Sequence, residues 1–144
     1  MSGAPNTGRR RTARKQAFLV LYQSDVNGRS LEDTLVRWDT SDRGEFREYA
    51  RSLTEGVERE REDLDARLSE VSIGWPVHRM SAVDRTILRL ALYEMMYVDD
   101  VPPDVAINEA MELATGFSSE EAPAFVGGVL RGAESNIFGK VEHG

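Results

Sequence analysis

The residues whose types and spacing point most directly to chemistry are Arg9, Arg10, Arg11, Arg14 and Lys15, a basic cluster leading into the apolar segment Ala17 to Tyr22. On a helix, Arg10 with Arg14 and Arg11 with Lys15 are like charges at i,i+4, each pair destabilising by roughly 0.2–0.5 kcal/mol. Cations near a helix N-terminus also oppose the macrodipole, which favours negative charge there. A polyanion supplied from outside relieves both penalties, so the cluster reads as an RNA-binding handle. On this view the arm opposes helix stability. Changing Arg10, Arg11 and Arg14 to Ala should then weaken binding with little loss of fold.

Charge distribution localises that handle. The 144 residues carry a net charge of −7, yet the first 24 hold five basic residues and no acidic one. The remainder has 13 basic residues against all 25 acidic ones, a charge of −12 that repels nucleic acid. Two plainer readings of the arm are a solvated tail and a mitochondrial-type targeting peptide, which is Arg-rich and free of acids. Against a secretory signal, the apolar run Ala17 to Tyr22 is too short and meets Gln23, Ser24 and Asp25 at once.

Catalytic and metal chemistry finds little material. Cysteine is absent, which removes disulfides, thiolate zinc sites and cysteine nucleophiles. The two histidines do not cluster: His78 sits in a Trp-Pro turn and His143 at the C-terminus, and each reads as a surface residue rather than a metal ligand or catalytic base. The carboxylates Asp99, Asp100, Asp104, Glu109 and Glu112 have no evident base or metal partner, and loop capping and solvation account for them. The mixed run Glu58 to Asp63 reads as a solvated helix face. No Gly-rich phosphate or cofactor loop follows a strand. The sequence therefore predicts no enzyme, no metal and no cofactor. No apolar stretch reaches the 18 or so residues that cross a membrane.

The elements that must position the arm are helical. At this length one domain is expected, burying about two-thirds of its unfolded surface. Residues 1–8 read as a flexible lead-in and 9–144 as the domain. A first helix spans about 10–27, with Ala17, Phe18, Leu21 and Tyr22 on its core face and Gly28 as its stop. Ser30 to Asp33 forms a capping-box start for a helix carrying Leu31, Leu35 and Trp38, followed by a polar loop at 39–44. From 45 to 71, Phe46, Tyr49, Leu53, Val57, Leu64, Leu68 and Val71 recur at helical spacing. Gly74-Trp75-Pro76 breaks that helix. Ser81 opens another, to about Val98, apolar nearly all round and so central to the core. Pro103 starts the next, closed by Gly116, and Ser118 to Glu121 opens the last, to about Phe138. Gly127 and Gly128 inside it each cost about 1 kcal/mol relative to Ala, which a close helix approach or a partner contact would offset. The fold class is all-α.

Three segments together carry a resemblance. They are Arg10-Arg11-Thr12-Ala13-Arg14 leading to Leu21-Tyr22, Val83 to Glu94 (VDRTILRLALYE), and Val101 to Ala114 (VPPDVAINEAMELA) followed by Phe125 to Leu130 (FVGGVL). In this order, over nearly the whole chain, the sequence resembles the NusB family of bacterial transcription antitermination factors. The resemblance implies a compact protein of about seven helices in two packed subdomains. It implies binding of single-stranded boxA RNA together with NusE, a small-subunit ribosomal protein. The pair joins RNA polymerase in a cytoplasmic complex that suppresses termination, notably on ribosomal RNA operons. The family keeps its basic arm in the mature first helix, which sets the targeting reading aside.

By position, Arg9, Arg10, Arg11, Arg14 and Lys15 match the family's arginine-rich RNA-binding motif, and Tyr22 and Phe125 match aromatic positions near its RNA surface. Guanidinium groups meet phosphates and stack on bases, and aromatic rings stack on unpaired bases. Core packing is the plainer role for Tyr22 and Phe125. Asp84 matches an acidic position that faces NusE, a role compatible with helix capping beside Ser81. One motif departs from the family. Its usual Phe-Val-Asn-Gly-Val-Leu-Asp stands here as Phe125-Val126-Gly127-Gly128-Val129-Leu130-Arg131, without the amide and the terminal carboxylate. Two other functions stay open: a NusB-like accessory domain of a ribosomal RNA methyltransferase system, and a protein-only adaptor whose arm takes an acidic protein. Family members occur as monomers and as homodimers, so a second copy of the chain is also an open partner.

Overall fold

The computed structural model describes residues 7–39 and 45–139. Among these, the chain forms six α-helices and one 3-10 turn, with no strand: α1 Thr7–Asn27, α2 Leu31–Asp39, α3 Glu48–Val71, the 3-10 turn Val77–Arg79, α4 Ala82–Tyr97, α5 Pro103–Phe117 and α6 Ala122–Phe138. The all-α expectation is met, with six α-helices where about seven were expected. Helix α1 already includes positions 7 and 8, assigned above to the lead-in. Residues 1–6 of that lead-in and the loop at 40–44 lie outside the described residues.

Local chemistry sets most of the boundaries. Gly28 takes φ 62° and ends α1, and Gly74 takes φ 80° after α3, both in the region where a Cβ is unfavourable. The Ser30 hydroxyl accepts from the Asp33 N–H at 3.1 Å, and the Ser81 hydroxyl from the Asp84 N–H at 3.1 Å. These bonds satisfy donors that the first turns of α2 and α4 leave open. Pro103 opens α5, where its missing N–H is harmless.

Two boundaries differ from expectation. Helix α5 runs through Gly116 to Phe117, because the Phe117 ring packs on Phe18 of α1 at 4.9 Å between centroids. Helix α6 begins only at Ala122, since the Ser118 hydroxyl is not a cap. It donates instead to Asp84 Oδ1 at 2.7 Å, tying the α5–α6 connection to the start of α4.

Helix α4 is the hub, touching α1, α3, α5 and α6. Ile87, Leu88, Leu90 and Leu92 are fully enclosed on it, as the all-round apolar pattern requires. Helix α1 approaches α3 and α4 through Ala13, Ala17 and Val20, whose small side chains let the backbones come close. That places the basic end of α1 against the acidic positions of α4 and α5.

Glycines mark the tightest approaches. A Cβ at Gly127 would meet the sulfur of Met111 at 2.9 Å, so its cost in α6 is offset by contact with α5, whereas Gly128 faces open space. Gly56 of α3 lies directly under the Tyr93 ring of α4. Gly56→Ala should therefore destabilise by about 1–3 kcal/mol, because the ring must move and overpacking outweighs the gain in helix propensity. Gly128→Ala should stabilise by up to about 1 kcal/mol. Thermal unfolding of the two variants beside wild type checks both signs.

Candidate nucleic-acid interface

The basic cluster is not a detached arm. It is the first three turns of α1, and its guanidinium groups are clasped from across the fold. Arg14 is almost fully buried. Its Nε donates to both oxygens of Glu94 at 2.8 and 2.9 Å, and its Nη1 donates to Glu109 Oε1 at 3.2 Å. Arg11 forks onto Glu109, Nε to Oε1 at 3.1 Å and Nη2 to Oε2 at 2.8 Å. Arg10 forks onto Asp100 at 3.2 and 3.0 Å while its guanidinium lies 4.5 Å from the centre of the Tyr49 ring. The Tyr49 hydroxyl donates to Glu94 Oε2 at 2.5 Å, completing the buried network.

Two expectations fall with this geometry. The like-charge repulsion along α1 is real, but its compensating anions are internal: Glu94 on α4, Asp100 in the α4–α5 turn and Glu109 on α5. The cluster thus helps hold α1 in the fold, and removing Arg14 cannot leave the fold untouched. Asp100 and Glu109, read above as capping and solvated groups, are the arginines' partners.

Protonation follows the contacts. The hydrogen bond from Arg11 holds the Glu109 carboxyl below its ordinary range, outweighing burial, which acts the other way; the charges of Arg11 and Arg14 add to it. Arg10 does the same for Asp100. Burial, then the charge and hydrogen bond of Glu94, raise the Tyr49 phenol well above its usual value, so it stays a donor at neutral pH. For Arg14, burial is the largest influence and opposes the charge, yet the Glu94 carboxylate overrides it and its pKa is raised.

What faces outward is a mixed basic and aromatic surface. Arg11 and Lys15 are the exposed end of a stripe that continues through buried Phe18 to half-buried Tyr22, at i, i+4, i+7 and i+11 along α1. The Arg11 side chain keeps 65% of its exposure despite its ion pair, and Arg9 and Lys15 are exposed. The Lys15 ammonium sits 5.8 Å from the Phe117 ring, whose other neighbour, Phe18, stacks on Tyr22 at 5.9 Å. Arg11, Lys15, Glu109, Glu112, Leu113 and Phe117 line a groove of about 250 Å³ between α1 and α5. Phe117 is 39% exposed, an aromatic the sequence reading did not single out. Its signal was weak: a lone Phe beside a glycine taken for the helix stop.

The remaining expected positions lie elsewhere. Tyr22 is half-buried on the stripe, and Phe125 is half-buried on α6 against the core. Asp84 is half-buried at the start of α4, its carboxylate accepting from Ser118. Among the described residues no group of three or more His, Cys, Asp or Glu side chains is arranged to hold a metal, and no helix is long and apolar enough to cross a membrane.

Comparison with known proteins matches this arrangement to one family. The model of the NusB family matches residues 11–135. The transcription antitermination protein NusB of Rubrobacter xylanophilus is 70% identical over 135 residues, covering 94% of this chain and 96% of its own. That of a Nocardioides species is 44% identical over 121 residues, covering 84% and 90%. Among solved structures, T. maritima NusB matches with a TM-score of 0.77 at 34% identity, covering 87% of this chain and 90% of that one. A crystal structure of the antitermination factors NusB and NusE in complex with dsRNA matches with a TM-score of 0.76 at 27% identity, covering 88% and 96%.

The network separates the arginines by role. Arg14→Ala takes the cation from buried Glu94, leaving it only the Tyr49 hydroxyl, and should destabilise by about 3–5 kcal/mol, lowering the melting temperature by roughly 10 °C. Arg10→Ala and Arg11→Ala, at partly exposed pairs, should lower it far less. The acid dependence has a definite sign. The folded pKa of Glu109 lies below its unfolded value of about 4.5, so its contribution is complete above that pH and is lost as pH falls through the folded pKa. Glu109→Gln should therefore be clearly less stable than wild type at pH 7, with the gap shrinking below about pH 4.5 in urea melts.

Proposed function

Because the chain belongs to the NusB family, we propose that it is an RNA-binding transcription antitermination factor that takes boxA RNA together with NusE and joins RNA polymerase complexes to suppress termination, notably on ribosomal RNA operons. Its place of action on this reading is the bacterial cytoplasm. The observation that carries the reading is the α1 stripe. A net-acidic protein holds Arg11 and Lys15 outward beside the exposed Phe117 ring and anchors their helix with buried ion pairs. Fixed cations suit phosphates, and an exposed ring flanked by a cation suits an unpaired base.

Within that surface Arg9, Arg10, Arg11 and Lys15 contact phosphates and Phe117 stacks on a base. Arg14 positions rather than touches, setting Glu109, which in turn aims Arg11. Tyr22 supports the platform through Phe18, and Phe125 extends the RNA surface from α6. Asp84 faces NusE, with Ser118 orienting its carboxylate. We assign single-stranded RNA as the ligand, since stacking on Phe117 requires an unpaired base; the solved relative in complex with dsRNA makes a duplex the necessary control. On the same footing, the 3-10 turn is the seventh helical segment of the family's two-subdomain architecture.

Fluorescence anisotropy with a labelled boxA RNA, a scrambled single strand and a duplex, each with and without NusE, tests the proposal. Tighter binding of the boxA single strand in the presence of NusE is expected. Equal binding of all three RNAs in both conditions would refute it. Arg11→Ala/Lys15→Ala should weaken boxA binding without the unfolding expected of Arg14→Ala. With four α1 cations on phosphates, log K should fall against log salt with a slope of about −3.

A further inference from the structure

The structure assigns a second basic lobe to the RNA surface, formed by Arg47 and Arg51 at the start of α3 and continuous with the outer face of α1. The inference rests on the RNA-binding reading above and extends it to residues outside the arginine-rich helix. In sequence Arg47 and Arg51 stand more than 30 positions from the arm, in an ordinary mixed-charge stretch. The fold brings them beside it. Buried Gln16 of α1 clamps the segment in both directions, its Nε2 donating to the Glu45 carbonyl at 3.0 Å and its Oε1 accepting from the Arg47 N–H at 3.0 Å.

Three features point to an anionic chain as occupant. Arg9, Arg10 and Arg47 line one open groove of about 250 Å³, with Ala13, Glu48 and Tyr49 as its other walls. Glu48 is the lone carboxylate in that lining, and the Tyr49 ring already carries the Arg10 guanidinium. Secondly, Arg10, Arg11 and Arg14 of α1 have carboxylate partners, as do Arg85 with Asp25 and Arg89 with Asp65, whereas neither Arg47 nor Arg51 has one among the described residues. Arg47 is exposed, and Arg51 lies over the Phe46 ring at 5.5 Å. Thirdly, Arg47 occupies the N-cap of α3 and makes no side-chain cap bond, where Ser, Thr, Asp or Asn would stabilise the helix. A local rule broken without local gain is expected where a residue serves a ligand.

The test is the salt dependence of boxA RNA binding by anisotropy for wild type, Arg47→Ala/Arg51→Ala, Arg47→Lys/Arg51→Lys and Arg11→Ala/Lys15→Ala. Two added phosphate contacts steepen the wild-type slope from about −3 to about −4, and the Ala pair at 47 and 51 returns it to about −3. Between 50 and 200 mM salt that variant should lose roughly sevenfold less affinity than wild type. The Lys pair keeps the charge and should keep the steep slope. An unchanged slope in the Ala pair, with a shallower one in Arg11→Ala/Lys15→Ala, would overturn the second lobe and leave the α1 reading standing. A Lys pair that behaves as the Ala pair would also overturn it, since the effect would not be phosphate neutralisation. Absence of RNA binding by wild type with and without NusE would remove both.

Discussion

The buried contact of Arg14 with Glu94 and Glu109 is the constraint on which the arrangement of this molecule depends. It joins α1, α4 and α5 in one charged knot inside a mostly apolar core. Burying three charges is unfavourable unless each is hydrogen-bonded and paired. Here the guanidinium donates to both carboxylates, Tyr49 adds a donor to Glu94, and Arg11 adds a fork to Glu109. Such a network fixes geometry more than it adds stability. Rotation of α1 about its axis would break several directed bonds at once, so the orientation of its outer face is set.

That orientation decides which cations meet solvent. Three residues apart along one helix, Arg14 turned inward holds the helix in place and Arg11 turned toward α5 is half released. Arg11 keeps most of its exposure while Glu109 aims it, and Lys15 stands clear of the network beside Phe117. A surface held ready in this way orders few side chains on binding, which favours affinity. The same carboxylates compete with phosphate for Arg10 and Arg11. In a chain of net charge −7, binding is thereby confined to the places where cations outnumber their partners.

The sequence by itself determined the elements and their ends wherever a single residue's chemistry suffices. Gly28 at positive φ, the Ser30 and Ser81 caps, Pro103 at the first turn of α5 and the all-round apolar pattern of α4 are local facts with local causes. The basic cluster and its family motif were likewise visible, and so was the all-α class. Tertiary structure alone decided what the cluster does. Phe117 carries α5 past Gly116 because a ring on another helix receives it. Ser118 leaves its capping role for a carboxylate 34 residues away, and Gln16 brings Arg47 to the arm. Glu94 gave one hint, an acid set between Tyr93 and Met95 in the apolar half of α4 that had to find a cation. Which cation it finds, and whether like charges on α1 strain the helix or anchor it, depends on residues 80 to 95 positions distant. Helical periodicity specifies which face turns inward, but not what waits there, because pairing energies depend on distances that only the packed chain defines.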